Sequence, residues 1–267
     1  MILLTGASGQ LGALIVKRAK SAGLDVVAGS RSSDADRIID FDRPETLDFS
    51  GVKTLFLTSA GYAEDDVVIQ RHGAAIEAAK RYGVEHIIYT SLSSASDHLG
   101  FALAHRWTER AIQNSGMKWT ILRNGLYAEL IGMLAAPNDG KITAPFGRER
   151  LSAVARADLA EAAVTVLKDP EAHQMRVYEL GGVSSFTVEE MAGKLGVQYD
   201  PMPFEQARAH LNKLPLLPFQ PPMLMSISSA VAAGFLEVKS SDLTDLVPTP
   251  RDALAVATAT AEQLQTA

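Results

Sequence analysis

Apolar and polar positions in the first half of the chain follow two alternating rhythms, and the switches between them lay out a series of strands and helices. Residues 2–4, Ile-Leu-Leu, form an apolar run of the length expected for a strand buried on both faces. The next apolar positions, Leu11, Leu14, Ile15 and Ala19, share one face of a helix. Further strands are predicted at residues 24–29, 37–41, 52–59, 84–92 and 119–123. Helices are predicted at 66–82, where Val68, His72, Ala75, Ile76 and Ala79 line one face and Gly83 stops the run, and at 102–115. This βαβα rhythm predicts an α/β fold with a doubly wound, mostly parallel sheet. Ligands of such sheets bind at the carboxyl ends of the strands.

The rhythm loosens after residue 127. Asp158 with Glu161 has the spacing of a capping box and predicts a helix running to 168. Residues 176–180 read as another strand, Thr187 with Glu190 caps a further helix, and Thr249, Pro250 and Asp252 open the last one. Residues 1–182 are expected to form a nucleotide-binding domain. Residues 183–267 form a smaller domain over the ligand edge, with part of 128–155 contributing to the cleft. There is no internal repeat or low-complexity segment.

Composition narrows the function classes. A net charge of −6 gives no electrostatic reason to expect nucleic acid. The greasiest stretch, residues 214–225, carries Pro215, Pro218, Pro221 and Pro222, so it predicts no membrane span. The first strand begins at residue 2, which leaves no room for a signal peptide and predicts a cytoplasmic protein. With zero cysteines, disulfides and thiolate chemistry are excluded. His72, His86, His98, His173 and His210 lack metal-ligand spacing, and no metal site is expected.

The segment Gly6-Ala7-Ser8-Gly9-Gln10-Leu11-Gly12 lies between the first strand and the first helix. Three glycines there can be a tight turn alone. They also let a diphosphate approach the backbone and rest on the helix's positive N-terminus, which predicts a Rossmann-like dinucleotide site. The second strand ends Gly29-Ser30-Arg31-Ser32-Ser33, with no acidic residue until Asp34. Arg31 offers a cation for a 2′-phosphate, so NADP(H) is expected over NAD(H); the alternative is a surface arginine in a solvated turn. Asp40 and Phe41 suit an adenine edge and face, although Asp40 serves equally as a structural cap. The small side chains of Thr58, Ser59 and Ala60 suit a cofactor lying across them, or a plain surface turn.

The chain resembles the NmrA-like, atypical short-chain dehydrogenases/reductases, in particular their quinone oxidoreductase and triphenylmethane reductase subgroup. The resemblance is carried by Thr5-Gly-Ala-Ser-Gly-Gln-Leu-Gly12, Tyr89-Thr-Ser-Leu92, His105-x-x-x-Glu109, Leu122-Arg-Asn-Gly-x-Tyr-x-Glu129, Ala155-Arg-Ala-Asp158 and Val177-Tyr-Glu-Leu180. It implies a Rossmann-like domain, a small C-terminal domain and a nicotinamide in the cleft between them. The Tyr-x-x-x-Lys pair of short-chain dehydrogenases is not at its expected place, where His105 and Glu109 stand instead. Simple ketones need that pair to protonate a developing alkoxide. A quinone or similar conjugated acceptor gives a delocalised anion that water can protonate, so proximity and a shaped apolar pocket suffice.

The catalytic candidates are His105, Ser91 and Tyr127. His105 is a polar cleft residue able to bond an acceptor oxygen, or a helix histidine paired with Glu109. Thr90, Ser91 and Asn124 end strands where this fold meets the nicotinamide, and Tyr127 either lines the cleft or packs between domains. Phe146, Phe219 and Met223 are candidates for an apolar wall. Two functions compete: a reductase that passes hydride from NADPH to a small-molecule acceptor, and a non-catalytic NADP(H) sensor that binds a regulatory partner. A monomer or homodimer is expected.

Overall fold

Strands buried on both faces build the centre of the sheet. In a computed structural model, which describes residues 1–265, β1 (Ile2–Leu4), α1 (Gln10–Ser21), β2 (Val26–Ser30), β3 (Arg37–Ile38) and β4 (Thr54–Leu57) come first. They are followed by α2 (Asp65–Arg81), β5 (His86–Leu92), α3 (Ala102–Gln113), β6 (Lys118–Asn124) and α4 (Ala128–Leu134). Next come β7 (Lys141–Ile142), α5 (Arg156–Lys168), β8 (Arg176–Leu180), α6 (Val188–Leu195) and β9 (Gln198–Tyr199). The chain ends with α7 (Phe204–Leu211), α8 (Gln220–Ala232), α9 (Leu243–Leu246) and α10 (Ala253–Gln265).

Seven strands form one sheet in the order β3-β2-β1-β4-β5-β6-β8, with every neighbouring pair parallel. Successive residues feed opposite layers. Leu3, Leu55, Leu57, Ile87 and Tyr89 pack under α2 and α3, whereas Leu4, Phe56 and Ile88 pack under α1 and α5. The strand order reverses direction between β1 and β4, which is the point where such sheets open a crevice.

A third core lies beyond the carboxyl ends of the strands. Ile131 of α4, Phe146, Phe186, Met191 of α6, Val231 of α8 and Ala257 of α10 meet there, and β7 pairs with β9 alongside. α4 and α10 pack backbone to backbone: a Cβ at Gly132 would stand 2.3 Å from the Ala257 carbonyl oxygen. No helix among the described residues is long and apolar enough to cross a membrane.

Several expected boundaries move. β3 stops at Ile38 rather than 41, and β4 runs only from Thr54 to Leu57 rather than 52–59, because the flanking residues turn back on themselves, as in Val52 N–H to Phe49 O at 3.1 Å. Asp158 does not cap its own helix. α5 begins at Arg156, whose backbone N–H is accepted by the Glu129 carboxylate at 3.1 and 3.2 Å. The Asp158 carboxylate, buried inside α5, instead accepts the Arg251 backbone N–H at 2.8 Å and pairs with its guanidinium, anchoring the approach to α10. The Thr187–Glu190 capping box is present in full, and Asp252 accepts the Leu254 N–H at 3.0 Å at the start of α10.

Candidate active site

Two adjoining cavities occupy the crevice, one of about 480 Å³ and one of about 310 Å³, and they share Gly6, Gly9, Thr58, Ser59, Gly61 and Tyr62. The loop from β1 makes the join. Gly6 takes φ +67°, a left-handed conformation that favours glycine, and Gly9 N–H closes the turn on Gly6 O at 2.9 Å. At Gly12 a Cβ would lie 2.1 Å from Gly6 O, so only glycine lets α1 start this close to the strand end. α1 has no side chain capping it and no acid in its first turn, which leaves its N–H groups and positive dipole end directed at the crevice.

Thr58 and Ser59 follow β4 with buried hydroxyls; that of Thr58 has no hydrogen-bond partner among the described residues, and that of Ser59 lies beside the Tyr89 hydroxyl. Their backbone N–H groups are held by the Thr5 hydroxyl (3.1 Å) and the Thr90 hydroxyl (2.8 Å), which fixes both residues at the cavity wall. Both residues nonetheless line the two cavities with small side chains that leave room for a ligand across them. With the open helix end and the glycine cradle, they fit a pyridine dinucleotide.

The smaller cavity is lined by Ser8, Arg31, Asp40, Phe41 and Ala60. Arg31 forms no ion pair among the described residues. Asp40 takes the capping role: it accepts the Asp42 N–H at 3.1 Å and pairs with Arg43 at 3.0 Å. Arg71 of α2 clamps Asp42 in two bonds of 2.6 and 2.9 Å and reaches Ala60 O at 3.2 Å. That clamp holds the Asp42 carboxyl below its usual range and ties the two rims of the cavity together.

The larger cavity holds Gln10, Leu11, Gly12, Thr90, Ser91, His105, Asn124 and Tyr127. Its outer wall is apolar, with Phe101, Leu126, Leu130 and Met223. The Ser91 hydroxyl is committed to Glu109 at 2.5 Å, so what Ser91 presents to the cavity is not a free hydroxyl. His105 is not paired with Glu109: its Nδ1 meets the Tyr89 hydroxyl at 2.9 Å, and burial pushes its pKa down to about 4. Glu109, buried behind the cavity wall, is bound by Arg106 at 2.6 Å and by Arg123 at 2.7 and 2.9 Å. Tyr127 lies under the Arg156 guanidinium, 4.5 Å from its ring centre, and burial raises its phenol pKa.

Three placements depart from the sequence reading. Ala7 lines neither cavity; its N–H bonds to Gly29 O at 3.1 Å and its side chain packs on the α1 side of the sheet. Phe146 belongs to the third core and lines a separate cavity of about 210 Å³. Phe219 stands at the mouth, edge-on to Tyr62 with ring centres 5.3 Å apart. Tyr62, Asp65, Arg71, Phe101 and Arg156 were not anticipated. Asp65, whose carboxyl pKa is raised by burial, sits in the first turn of a helix where acids are ordinary, so spacing alone gave no signal.

A glycine-rich strand–helix turn, an uncapped helix start and a crevice at the reversal of strand order define a Rossmann-type dinucleotide-binding protein. Comparison with known proteins gives the family. The NAD(P)H-binding family matches residues 6–170. Quinone oxidoreductase 2 of Escherichia coli is 33% identical over 215 residues, 74% of each chain. Among solved structures, the triphenylmethane reductase of Citrobacter sp. complexed with NADP(H) superposes with a TM-score of 0.88 at 27% identity, covering 97% of this chain and 99% of that one. The NADPH complex of an Escherichia coli NADPH-dependent quinone oxidoreductase gives 0.85 at 29%, covering 99% and 100%. The chain belongs to the NAD(P)H-binding family, and quinone oxidoreductase 2 is among its relatives.

Proposed function

We propose that the protein is an NADPH-dependent reductase of quinones or similarly conjugated acceptors. The observation that carries this reading is the joining of a dinucleotide crevice to an apolar-walled cavity of about 480 Å³, with Glu109 locked away from that cavity. The kinship with a quinone oxidoreductase and a triphenylmethane reductase supports it. When bound, NADPH supplies a hydride to the acceptor.

The residues divide the remaining tasks. The α1 N-terminus and the 6–12 loop would hold the diphosphate and Arg31 the 2′-phosphate, with the small residues Thr58, Ser59 and Ala60 forming the wall the cofactor lies across. Phe101, Leu130 and Met223 exclude water and shape the acceptor's seat. Residues 183–267, with part of 128–155, form the lobe that covers the acceptor.

The test is direct. The purified protein is expected to oxidise NADPH when a simple benzoquinone is added. A protein that binds NADPH yet consumes none with any of a panel of quinones and conjugated dyes would overturn the reductase reading. Capture of a partner only in the presence of one redox form of the cofactor would then favour an NADP(H) sensor.

A further inference from the structure

We propose that Tyr89 is a positioning residue: it donates its hydroxyl hydrogen to Nδ1 of His105 and fixes the imidazole as the tautomer whose Nε2–H serves the cavity as a hydrogen-bond donor. The proposal rests on the reductase reading and names the group that meets the acceptor's oxygen.

Proton accounting along α2, α3 and β5 leads to it. His72 Nε2 accepts the Ala60 N–H at 2.9 Å, so its ring hydrogen is on Nδ1 and goes to the Thr108 hydroxyl at 2.8 Å. Thr108 in turn donates to Ala104 O at 2.7 Å. Tyr89, in the middle of β5, is 0% exposed, and its hydroxyl cannot turn to water. A buried hydroxyl hydrogen needs an acceptor; of the neighbours of this one, the Ser59 and Thr108 hydroxyls and His105 Nδ1, the imidazole nitrogen at 2.9 Å is the one in hydrogen-bond geometry and the strongest acceptor.

That bond leaves the histidine hydrogen on Nε2. Nε2 bonds to no protein atom among the described residues, yet it is not one of the polar atoms sealed from solvent. His105 lines the cavity beside Thr90 and Phe101, so Nε2–H is reached from there. Burial keeps both rings neutral near pH 7, lowering the imidazole to about 4 and raising the phenol.

A neutral donor suits this chemistry. Hydride addition reduces a quinone by two electrons and leaves an anionic oxygen, with NADPH converted to NADP⁺. A hydrogen bond from Nε2–H stabilises that oxygen, and the proton that completes the hydroquinone comes from water. His105 therefore keeps its own proton through the cycle.

Cofactor-free protein labelled with ¹⁵N-histidine tests the assignment without turnover. Long-range ¹H–¹⁵N spectra at pH 7 should show His105, assigned by its loss in His105→Gln, with a protonated Nε2 and a bare Nδ1. In Tyr89→Phe the His105 signals should shift toward a mixture of tautomers. The same variant should lose about tenfold in kcat with benzoquinone, the scale of one neutral hydrogen bond, at unchanged KM for NADPH. A wild-type His105 protonated on Nδ1 overturns the proposal even if Tyr89→Phe fails to fold. So does a folded Tyr89→Phe with unaltered tautomer and kcat. Wild-type protein with the expected tautomer but no reductase activity overturns the underlying reading instead, and the acceptor role with it.

Discussion

Arg31 shows how far one side chain can set cofactor choice. It stands just beyond β2, exposed at the edge of the smaller cavity, with no carboxylate paired to it among the described residues. The nearby polar groups are turned inward on one another: Ser30 Oγ accepts the Ser32 N–H at 3.1 Å, and the Ser32 hydroxyl bonds Asp34. Asp34 is thereby engaged, and a ribose 2′-hydroxyl finds no second-strand acid of the kind that favours NAD. A 2′-phosphate would give Arg31 a charge-assisted bond. Arg31→Ala should therefore weaken NADPH by about 1.5–3 kcal/mol, roughly 10- to 150-fold, and leave NADH nearly unchanged. Fluorescence titration with both cofactors decides it, and equal losses would remove Arg31 from the 2′-phosphate site.

At the scale of elements, β5, α3 and β6 are locked together by Glu109. One carboxylate gathers the Ser91 hydroxyl and the guanidinium groups of Arg106 and Arg123, and Arg123 extends the network to Glu179 on β8 at 2.8 Å. Removing Glu109 would take a carboxylate from two partly buried cations, leaving Arg123 with Glu179 and Arg106 with Asp97. Glu109→Ala should lower stability by about 1.5–3 kcal/mol in urea unfolding, the scale of lost hydrogen bonds to a charged group whose cations keep other partners. NADPH affinity of the folded fraction should stay close to wild type, because Glu109 lines neither cavity. A stable variant that had lost only activity would instead give Glu109 a direct catalytic part. This network also marks the limit of what the sequence makes legible. Strands β1, β5, β6 and β8 were readable because burial repeats along them, and the glycine loop because its chemistry is local. Glu109 lies on the same face of the helix as His105, one turn on, so spacing suggested that the two pair. Its real partners come from strand register, with Ser91 set opposite Arg123, a relation invisible along one chain. Asp158 follows the same logic: its spacing to Glu161 resembled a cap, but its partner Arg251 is distant in sequence.

At the scale of the whole molecule, three neutral histidines link the fold to pH. His72 is held between Ala60 and Thr108, His86 bonds Thr120 at 2.9 Å, and His105 bonds Tyr89. Burial is the first cause in each case, lowering their pKa values to about 3, about 4 and about 4. In the unfolded chain each returns to about 6.5. A depressed histidine contributes full stability above its unfolded pKa and loses it as pH falls toward its folded pKa, because only the unfolded state takes up the proton. Each therefore withdraws about 1.4 kcal/mol per pH unit below 6.5, or about 2 kcal/mol at pH 5. Glu179 acts in a lower window. Ser94 and Arg123 overcome the cost of its burial and hold its carboxyl below 4.5, so its contribution survives until the pH falls past that value. Between pH 6.5 and 5 the histidines thus dominate. Domain stabilities are only about 5–15 kcal/mol, so three such sites take a large share. The urea midpoint should be flat from pH 8 to 7 and then fall steeply toward pH 5. A midpoint that holds constant to pH 5 would mean that these imidazoles accept protons within the fold, against the bonding assigned to His72, whose Nε2 must stay bare to receive the Ala60 N–H.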